Sequence, residues 1–420
     1  MRVRPRLAIT LGDPCGIGPE LLLKSLPTLA EWADVWIIGA RAGLELLASQ
    51  GDPNTDFRWA WSEPAADMPT LPVATCHALD FWTMAQEVPI RVGWIDPTPE
   101  VQAKHLTLGI GCAISGRCAV EGVRTGAERV MAGEADALVT LPLAKAAAHL
   151  AGYNIPGHTE FLQELTGAPL IRMGFVSPSL CVVLHTVHQS LRSVVEGLNA
   201  EAVAETLAFA ADRFALLSGC MEPRVALCAL NPHAGERGAF GHEEELLDDA
   251  ILQAQGAFMS FDGQPASPFG HLPSPFPPGA APAGWTIFPN RVQEVATASV
   301  QPGLEVVARG PHAVAAEHPS PRFFGPFPSD TLFLRAFRGE FDLVVALYHD
   351  QGLIPIKILE PDRAVNLTLG LPFIRTSPDH GTAFEIAGRW VADPTDFLEA
   401  SALAVRLAGR ATGMHWMASL

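Results

Sequence analysis

The sequence predicts an α/β protein of mostly parallel strands joined by crossover helices. Short apolar runs recur along the chain. Each is followed by a polar or glycine-rich loop and then by a segment whose apolar residues repeat with helical period, the alternation such a sheet requires. Arg6 to Leu11, Val35 to Ile38, Ala137 to Leu141, Leu180 to Leu184, Arg224 to Leu230 and Phe341 to Leu347 read as strands. Ile114 to Gly133 and Ala200 to Leu217 read as amphipathic helices. A length of 420 residues with 48% hydrophobic side chains supports sizeable cores and two or three domains. The chain shows no self-similarity at a period of ~20–50 residues, which sets repeat architectures aside.

Composition then narrows the function. Lys and Arg number 28 against 45 Asp and Glu, for a formal charge of −17. A surface field of that sign repels phosphate backbones and anionic bilayers, so no nucleic acid and no membrane partner is expected. The cysteines (Cys15, Cys76, Cys112, Cys118, Cys181, Cys220, Cys228) are scattered and form no C-x-x-C pair. That pattern argues against a disulfide framework or a thiolate zinc site, and a cytoplasmic location fits it. The basic start at Met1 leads into an apolar run that ends at Gly12-Asp13-Pro14, too short for a signal-peptide core. No stretch approaches the ~18 apolar residues of a membrane span.

One segment breaks the rhythm. Between Gln264 and Pro328 lie 14 of the 36 prolines, which excludes a regular helix or a central strand. Residues 260–324 read as a Pro-rich surface insertion of low order. Trp285 to Phe288 and Leu304 to Ala308 are strand-like, and a small hairpin or lid is the other reading.

Several blocks could carry chemistry. Gly12-Asp-Pro-Cys-Gly-Ile-Gly-Pro-Glu20 follows a strand and opens a helix, so its N–H groups would suit an anion, or it is simply a tight strand-to-helix turn. It is not the dinucleotide fingerprint, because Leu21 stands where the third glycine belongs. His158, His233 and His349 sit in polar loops, and the last two follow strands, at the sheet edge where α/β proteins bind ligands. Three neutral imidazoles would leave a divalent ion open to substrate oxygens, although each alone also reads as an ordinary loop residue. Lys357, Asn366, Arg375 and Lys145 suit an acidic small molecule, with surface ion pairing as the alternative.

Together these blocks carry a resemblance. Gly12 to Glu20, Gly157-His-Thr-Glu-Phe161, Leu230-Asn-Pro-His-Ala-Gly-Glu236, Ser329-Asp-Thr-Leu-Phe333, Tyr348-His-Asp-Gln-Gly-Leu353 and Val365 to Thr382 occur in one order. The chain resembles the 4-hydroxythreonine-4-phosphate dehydrogenase family of pyridoxal phosphate biosynthesis, over nearly everything except the proline-rich segment. The resemblance implies a fold similar to isocitrate and isopropylmalate dehydrogenases, with two α/β domains flanking a central cleft. Residues 1–140 with 350–420 would form the first, and 141–349 the second, which would carry the metal and dimer contacts.

It also implies a homodimer whose active site is shared between subunits, a divalent metal (Zn, Co, Ni, Mn or Mg) and NAD, or NADP in its place. His158, His233 and His349 would be the metal ligands, one of them reaching across the dimer. Lys357, Asn366 and Arg375 would hold substrate, and Lys145 would contact it. The reaction implied is oxidation with decarboxylation of 4-phosphooxy-L-threonine to 3-amino-2-oxopropyl phosphate, with Lys145, Asp330 and Asp350 as candidate catalytic relays. No nicotinamide-binding residue is assigned.

Two departures bear on the substrate: the proline-rich insertion, and Ala144, where many relatives carry a polar residue. They favour, as alternatives, a dehydrogenase for 4-phosphoerythronate, 4-phosphothreonate or a dicarboxylate cis-dihydrodiol. A retained scaffold that only binds metabolites or partners would be expected to lose a metal histidine or Arg375, and this chain keeps them.

Overall fold

A computed structural model describes residues 4–51, 57–63, 76–83, 87–258, 269 and 320–411. In chain order the strands are β1 (Arg6–Thr10), β2 (Asp34–Ile38), β3 (Phe57–Ser62), β4 (Cys76–Thr83), β5 (Ile90–Ile95), β6 (Ala137–Thr140), β7 (Arg172–Val176), β8 (Cys181–Leu184), β9 (Arg224–Cys228), β10 (Arg322–Phe327), β11 (Leu343–Ala346), β12 (Val365–Leu369) and β13 (Ile374–Ser377). The helices are α1 (Gly18–Trp32), α2 (Arg41–Ser49), α3 (Ala113–Met131), α4 (Lys145–Leu150), α5 (His158–Thr166), α6 (Leu191–Gly197), α7 (Ala200–Ser218), α8 (Glu243–Ala257), α9 (Ser329–Phe337), α10 (His349–Leu359) and α11 (Thr395–Ala411). Among the described residues the chain divides into two compact units: one runs to Ile171 and resumes at Val365, the other runs from Arg172 to Ala364.

In the first unit the strand order is β12-β13-β6-β1-β2-β5-β4-β3. The middle strands, from β13 to β5, are parallel. β12 joins antiparallel at one edge, and β4 and β3 continue antiparallel at the other. β1 and β6 are buried along their whole length, as expected of near-continuous apolar strands covered on both faces. Val120, Val123 and Ala127 of α3 pack on Ala8, Ile38 and Leu138. Gly116 brings α3 so close to α4 that a Cβ there would sit 2.1 Å from the Ala147 carbonyl oxygen. Phe161 and Leu162 of α5 join the same core. This packing carries the unit past residue 140, where the sequence reading divides the chain, to a division at Ile171/Arg172 and a return at Ala364/Val365.

In the second unit the order is β10-β9-β11-β8-β7, parallel except for the β7–β8 pair. Its core joins Val182, Leu184, Ala226, Val344 and Ala346 to Leu332 and Phe333 of α9 and to Leu353 and Ile356 of α10. α7 starts on an Asn199 cap, whose Oδ1 accepts from the Ala202 N–H at 2.8 Å. It stops at Gly219, left-handed at φ 71.

The α/β class and the alternation of strands and helices hold, and the six strands and two helices read from sequence are present within a few residues. The antiparallel edge β3–β4 was not anticipated. Most of the 260–324 segment, including Trp285 to Phe288 and Leu304 to Ala308, lies outside the described residues. Its end forms β10, an edge strand whose register shifts between Phe324 and Phe327, and such an irregularity accommodates Pro326. No helix among the described residues is long and apolar enough to cross a membrane.

Candidate functional site

The strand order of the first unit reverses at β1, with β2 on one side and β6 on the other. Open α/β sheets bind ligands outside the carboxyl ends of the strands at such a point. The Gly12–Glu20 turn leaves β1 there, and Leu141 to Lys145 leaves β6. Gly12 is left-handed at φ 71, and a Cβ on it would lie 2.3 Å from the Pro142 carbonyl oxygen.

The turn's N–H groups are already taken. Asp13 donates to the Pro142 oxygen at 2.9 Å, Gly16 to the Asp13 oxygen at 3.0 Å and Ile17 to the Thr382 oxygen at 3.1 Å. Cys15 donates to Asp13 Oδ1 at 2.9 Å, and Ser115 Oγ donates to Asp13 Oδ2 at 3.1 Å. Burial pushes the Asp13 carboxyl up to about 6 and the Cys15 thiol up to about 12. Glu20 is buried and accepts from Lys24 Nζ at 2.8 Å, Trp390 N–H at 3.1 Å and Ala392 N–H at 2.7 Å. The expectation that these N–H groups face an anion is therefore corrected for Asp13, Cys15, Gly16 and Ile17. The block is a strut that holds the β6 turn, and these groups offer no seat to a pyrophosphate.

Beside it the first unit brings Lys145, His158 and Arg375 together, and Asn366 stands on β12 two residues before Thr368. Arg375 is 2% exposed. Its Nε and Nη2 donate to Thr140 Oγ1 at 3.2 and 2.6 Å, and Nη1 donates to Thr368 Oγ1 at 3.0 Å. Burial pulls its pKa down to about 10, opposed only by the more distant Glu160. Burial, then the Arg375 and Lys145 charges, hold His158 well below 6.5, so its ring is neutral. Its Nε2 is buried without a hydrogen-bond partner, as is Asn366 Oδ1. Lys145 is exposed at the start of α4. Lys145 Nζ lies 3.8 Å from the place a Cβ on Gly157 would take, while Glu160 Oε2 lies only 3.0 Å from it, so the glycine makes room for Glu160. Ala144 is the N-cap of α4 and supplies no side-chain cap.

The second unit holds His233, His349, Asp330, Asp350 and Lys357. His349 opens α10 directly after β11, and its Nδ1 lies 2.7 Å from Asp350 Oδ1. A carboxylate on Nδ1 fixes the tautomer that leaves Nε2 for a metal. His233 follows β9, the neighbour of β11, in a turn where His233, Ala234, Glu236 and Arg237 have φ of 54, 52, 42 and 58. Such conformers cost free energy, and Glu244 pins them: its Oε1 accepts from the Leu230 and Asn231 N–H groups at 3.2 and 2.8 Å, and its Oε2 from Asn231 Nδ2 at 2.9 Å. Asp330 and Lys357 are both exposed, on α9 and α10.

Two residues that the sequence reading passed over stand out. Gln351 is buried and ties three strand-end segments together: its Oε1 accepts from Leu347 N–H at 2.7 Å, and its Nε2 donates to the Ala229 oxygen at 2.7 Å and to Ser329 Oγ at 2.9 Å. His188 brings its ring centroid to 5.7 Å from that of His349. The chain beyond β8 follows the end of β11, with His185 N–H on the Ala346 oxygen at 2.8 Å and Thr186 Oγ1 on the Leu347 oxygen at 2.7 Å. His188 thus satisfies the same strand-end criterion that singled out His233 and His349, and that criterion applied to Leu180–Leu184 would have found it.

The donor set suits a divalent ion in one respect and not in another. Neutral imidazoles with a carboxylate behind one of them are apt ligands. Among the described residues no three His, Cys, Asp or Glu side chains are gathered as a metal cage.

The chain matches the family of pyridoxal phosphate biosynthetic protein PdxA over residues 66–269 and 308–404. It is 34% identical to D-threonate 4-phosphate dehydrogenase of Salmonella typhimurium (strain LT2), covering 96% of this chain and 98% of the relative. It is 34% identical to 4-hydroxythreonine-4-phosphate dehydrogenase of Bradyrhizobium diazoefficiens, covering 97% and 98%. The crystal structure of 4-hydroxythreonine-4-phosphate dehydrogenase from Klebsiella pneumoniae superposes with a TM-score of 0.66 at 30% identity, over 96% of this chain and 98% of that one.

Proposed function

The chain belongs to the pyridoxal phosphate biosynthetic protein PdxA family, and from that premise we propose that it is an NAD- and divalent-metal-dependent dehydrogenase that oxidises and decarboxylates 4-phosphooxy-L-threonine. The observation that carries this reading is Arg375, a buried guanidinium held only by hydroxyl groups beside Lys145 and the unpartnered Asn366 Oδ1 and His158 Nε2. Buried charge without an acid partner is costly, and an anionic substrate offsets that cost. Arg375, Asn366 and Lys145 hold the substrate in this account, and Lys357 remains a further substrate contact.

For the metal we propose His158, His233 and His349, one of them reaching across the dimer. His233 and His349 follow β9 and β11, adjacent strands of one sheet, and Asp350 orients His349. His158 is held neutral by burial and keeps an unpartnered Nε2, as a metal ligand beside an anionic substrate requires. When bound, NAD supplies the hydride acceptor, and the cation supplies positive charge that favours loss of the hydroxyl proton and then of carbon dioxide. Lys145 is assigned to proton exchange at the substrate, Asp350 to holding the His349 Nδ1–H, and Asp330 remains the alternative relay.

The reading includes a homodimer, supported by Leu334, Phe337, Ile354, Ile358 and Leu359, apolar side chains exposed on α9 and α10. It includes a cytoplasmic location, supported by seven scattered cysteines that form no C-x-x-C pair.

A second reading, oxidation of 4-phospho-D-threonate, is favoured by the relatives of that name, which match as well as the others, and by Ala144, which withdraws a polar group next to Lys145. Purified protein with NAD and a divalent cation is expected to form NADH and carbon dioxide in equal amounts from 4-phosphooxy-L-threonine. Turnover of 4-phospho-D-threonate or 4-phosphoerythronate without it transfers the assignment to the sugar acid.

A further inference from the structure

Three other arginines of this chain are matched to carboxylates in paired hydrogen bonds. Arg224 meets Asp342 through Nε at 3.0 Å and Nη2 at 2.8 Å, Arg91 meets Asp80 at 2.6 and 2.9 Å, and Arg335 meets Glu340 at 2.9 and 2.6 Å. Each is more exposed than Arg375. The most deeply buried of these guanidinium groups is thus the one without an acid. Its partners are the hydroxyls of Thr140, 1% exposed at the end of β6, and Thr368, 4% exposed on β12. Their bonds use the Nε proton and one proton on each terminal nitrogen, so the second proton of each terminal nitrogen remains.

We propose that Thr140 and Thr368 are positioning residues: their hydroxyls fix the plane of the Arg375 guanidinium without cancelling its charge, so that the remaining N–H of each terminal nitrogen forms a fork for an oxyanion of the substrate. A carboxylate at either position would cancel the guanidinium charge that draws the anion. An apolar residue would leave the guanidinium free to rotate out of register and a buried donor unpaired. Strand geometry supports the arrangement. Thr140 and Thr368 stand on β6 and β12, the two strands that flank β13, and they hold Arg375 from both sides. The proposal rests on the reading of Arg375 as the holder of a substrate anion.

An oxyanion held equally in the ground and transition states is the expected ligand of such a fork, and loss of the Arg375 alignment then raises KM with little change in kcat. The test compares Thr140→Val, Thr368→Val and Thr140→Ser below their unfolding temperatures. Steady-state kinetics are read on whichever phosphorylated substrate turns over. Calorimetric titrations with inorganic phosphate and with acetate, as phosphate and carboxylate probes, are read independently of turnover. The valine variants are expected to raise KM about tenfold with kcat within about threefold, and to weaken one probe about tenfold, while serine restores both. The weakened probe identifies the oxyanion. Unchanged KM and probe affinity in both valine variants overturn the proposal even if their stability falls, and so does a wild-type protein that binds neither probe. A wild-type protein that oxidises no candidate substrate, yet loses probe affinity in the valine variants, refutes the dehydrogenase reading and leaves this one standing.

Discussion

Arg375 and His158 show how burial selects function at the scale of single residues. A lysine at 375 keeps the charge but lacks the planar fork and cannot reach Thr140 and Thr368 together. Arg375→Lys is expected to raise KM for the phosphorylated substrate by roughly 30- to 100-fold, measured as NADH formation against substrate concentration. Lys145→Met, which removes the assigned proton carrier, is expected instead to lower kcat by ~100-fold or more at saturating substrate.

A pH effect belongs to this scale too. Burial, then Arg172, pushes His185 down to about 4, and its Nδ1 lies 2.9 Å from Thr206 Oγ1. An unfolded histidine titrates near 6.5, so the stability gained by keeping His185 neutral is complete above about 6.5 and is lost as pH falls toward about 4. Asp13 acts oppositely, since its raised folded pKa contributes below the unfolded value of 3.8 and is lost as pH rises through about 6. Comparing His185→Gln with wild type cancels the Asp13 contribution. The variant is expected to lose ~2 kcal/mol less between about pH 7 and pH 4.5 in urea unfolding.

The proposed substrate residues could be read in the sequence because they occur in recognisable blocks. That the ring of His188 lies beside that of His349 could not, because it depends on long-range packing of the segment after β8 against the end of β11.

At the scale of elements, the Gly12–Glu20 turn was legible as a strand-to-helix junction but not as a strut. The sequence places glycines there without saying what fills the space they leave, and the filler is the protein's own Pro142, Leu11 and Thr382 carbonyl oxygens. Gly12→Ala would combine φ of 71 with a Cβ 2.3 Å from the Pro142 oxygen. It is expected to cost ~3 kcal/mol or more in urea unfolding and to displace Lys145, seen as loss of activity in the protein that remains folded. The apolar strands and the two long helices were legible from periodicity alone. The β3–β4 edge was missed because its mixture of aromatic, charged and polar residues, such as Trp59, Arg58 and Trp82, lacks the continuous apolar run of the central strands.

For the whole molecule, the class of fold followed from alternation, whereas the point of division did not. Residues 141–171 stay with the first unit because Gly116 admits α4 and Phe161 enters its core, and neither contact has a signature in local sequence. The homodimer reading predicts a species of twice 44.8 kDa by sedimentation velocity, and Ile358→Asp is expected to shift it toward the monomer.

The division of labour between the imidazoles is tested most directly by the bound-metal content of wild-type protein, His188→Gln and His158→Gln after dialysis. The account predicts that the substitution at 158 empties the protein of its divalent ion, while the one at 188 retains it. Retention of the ion in the 158 variant together with its loss in the 188 variant would contradict it.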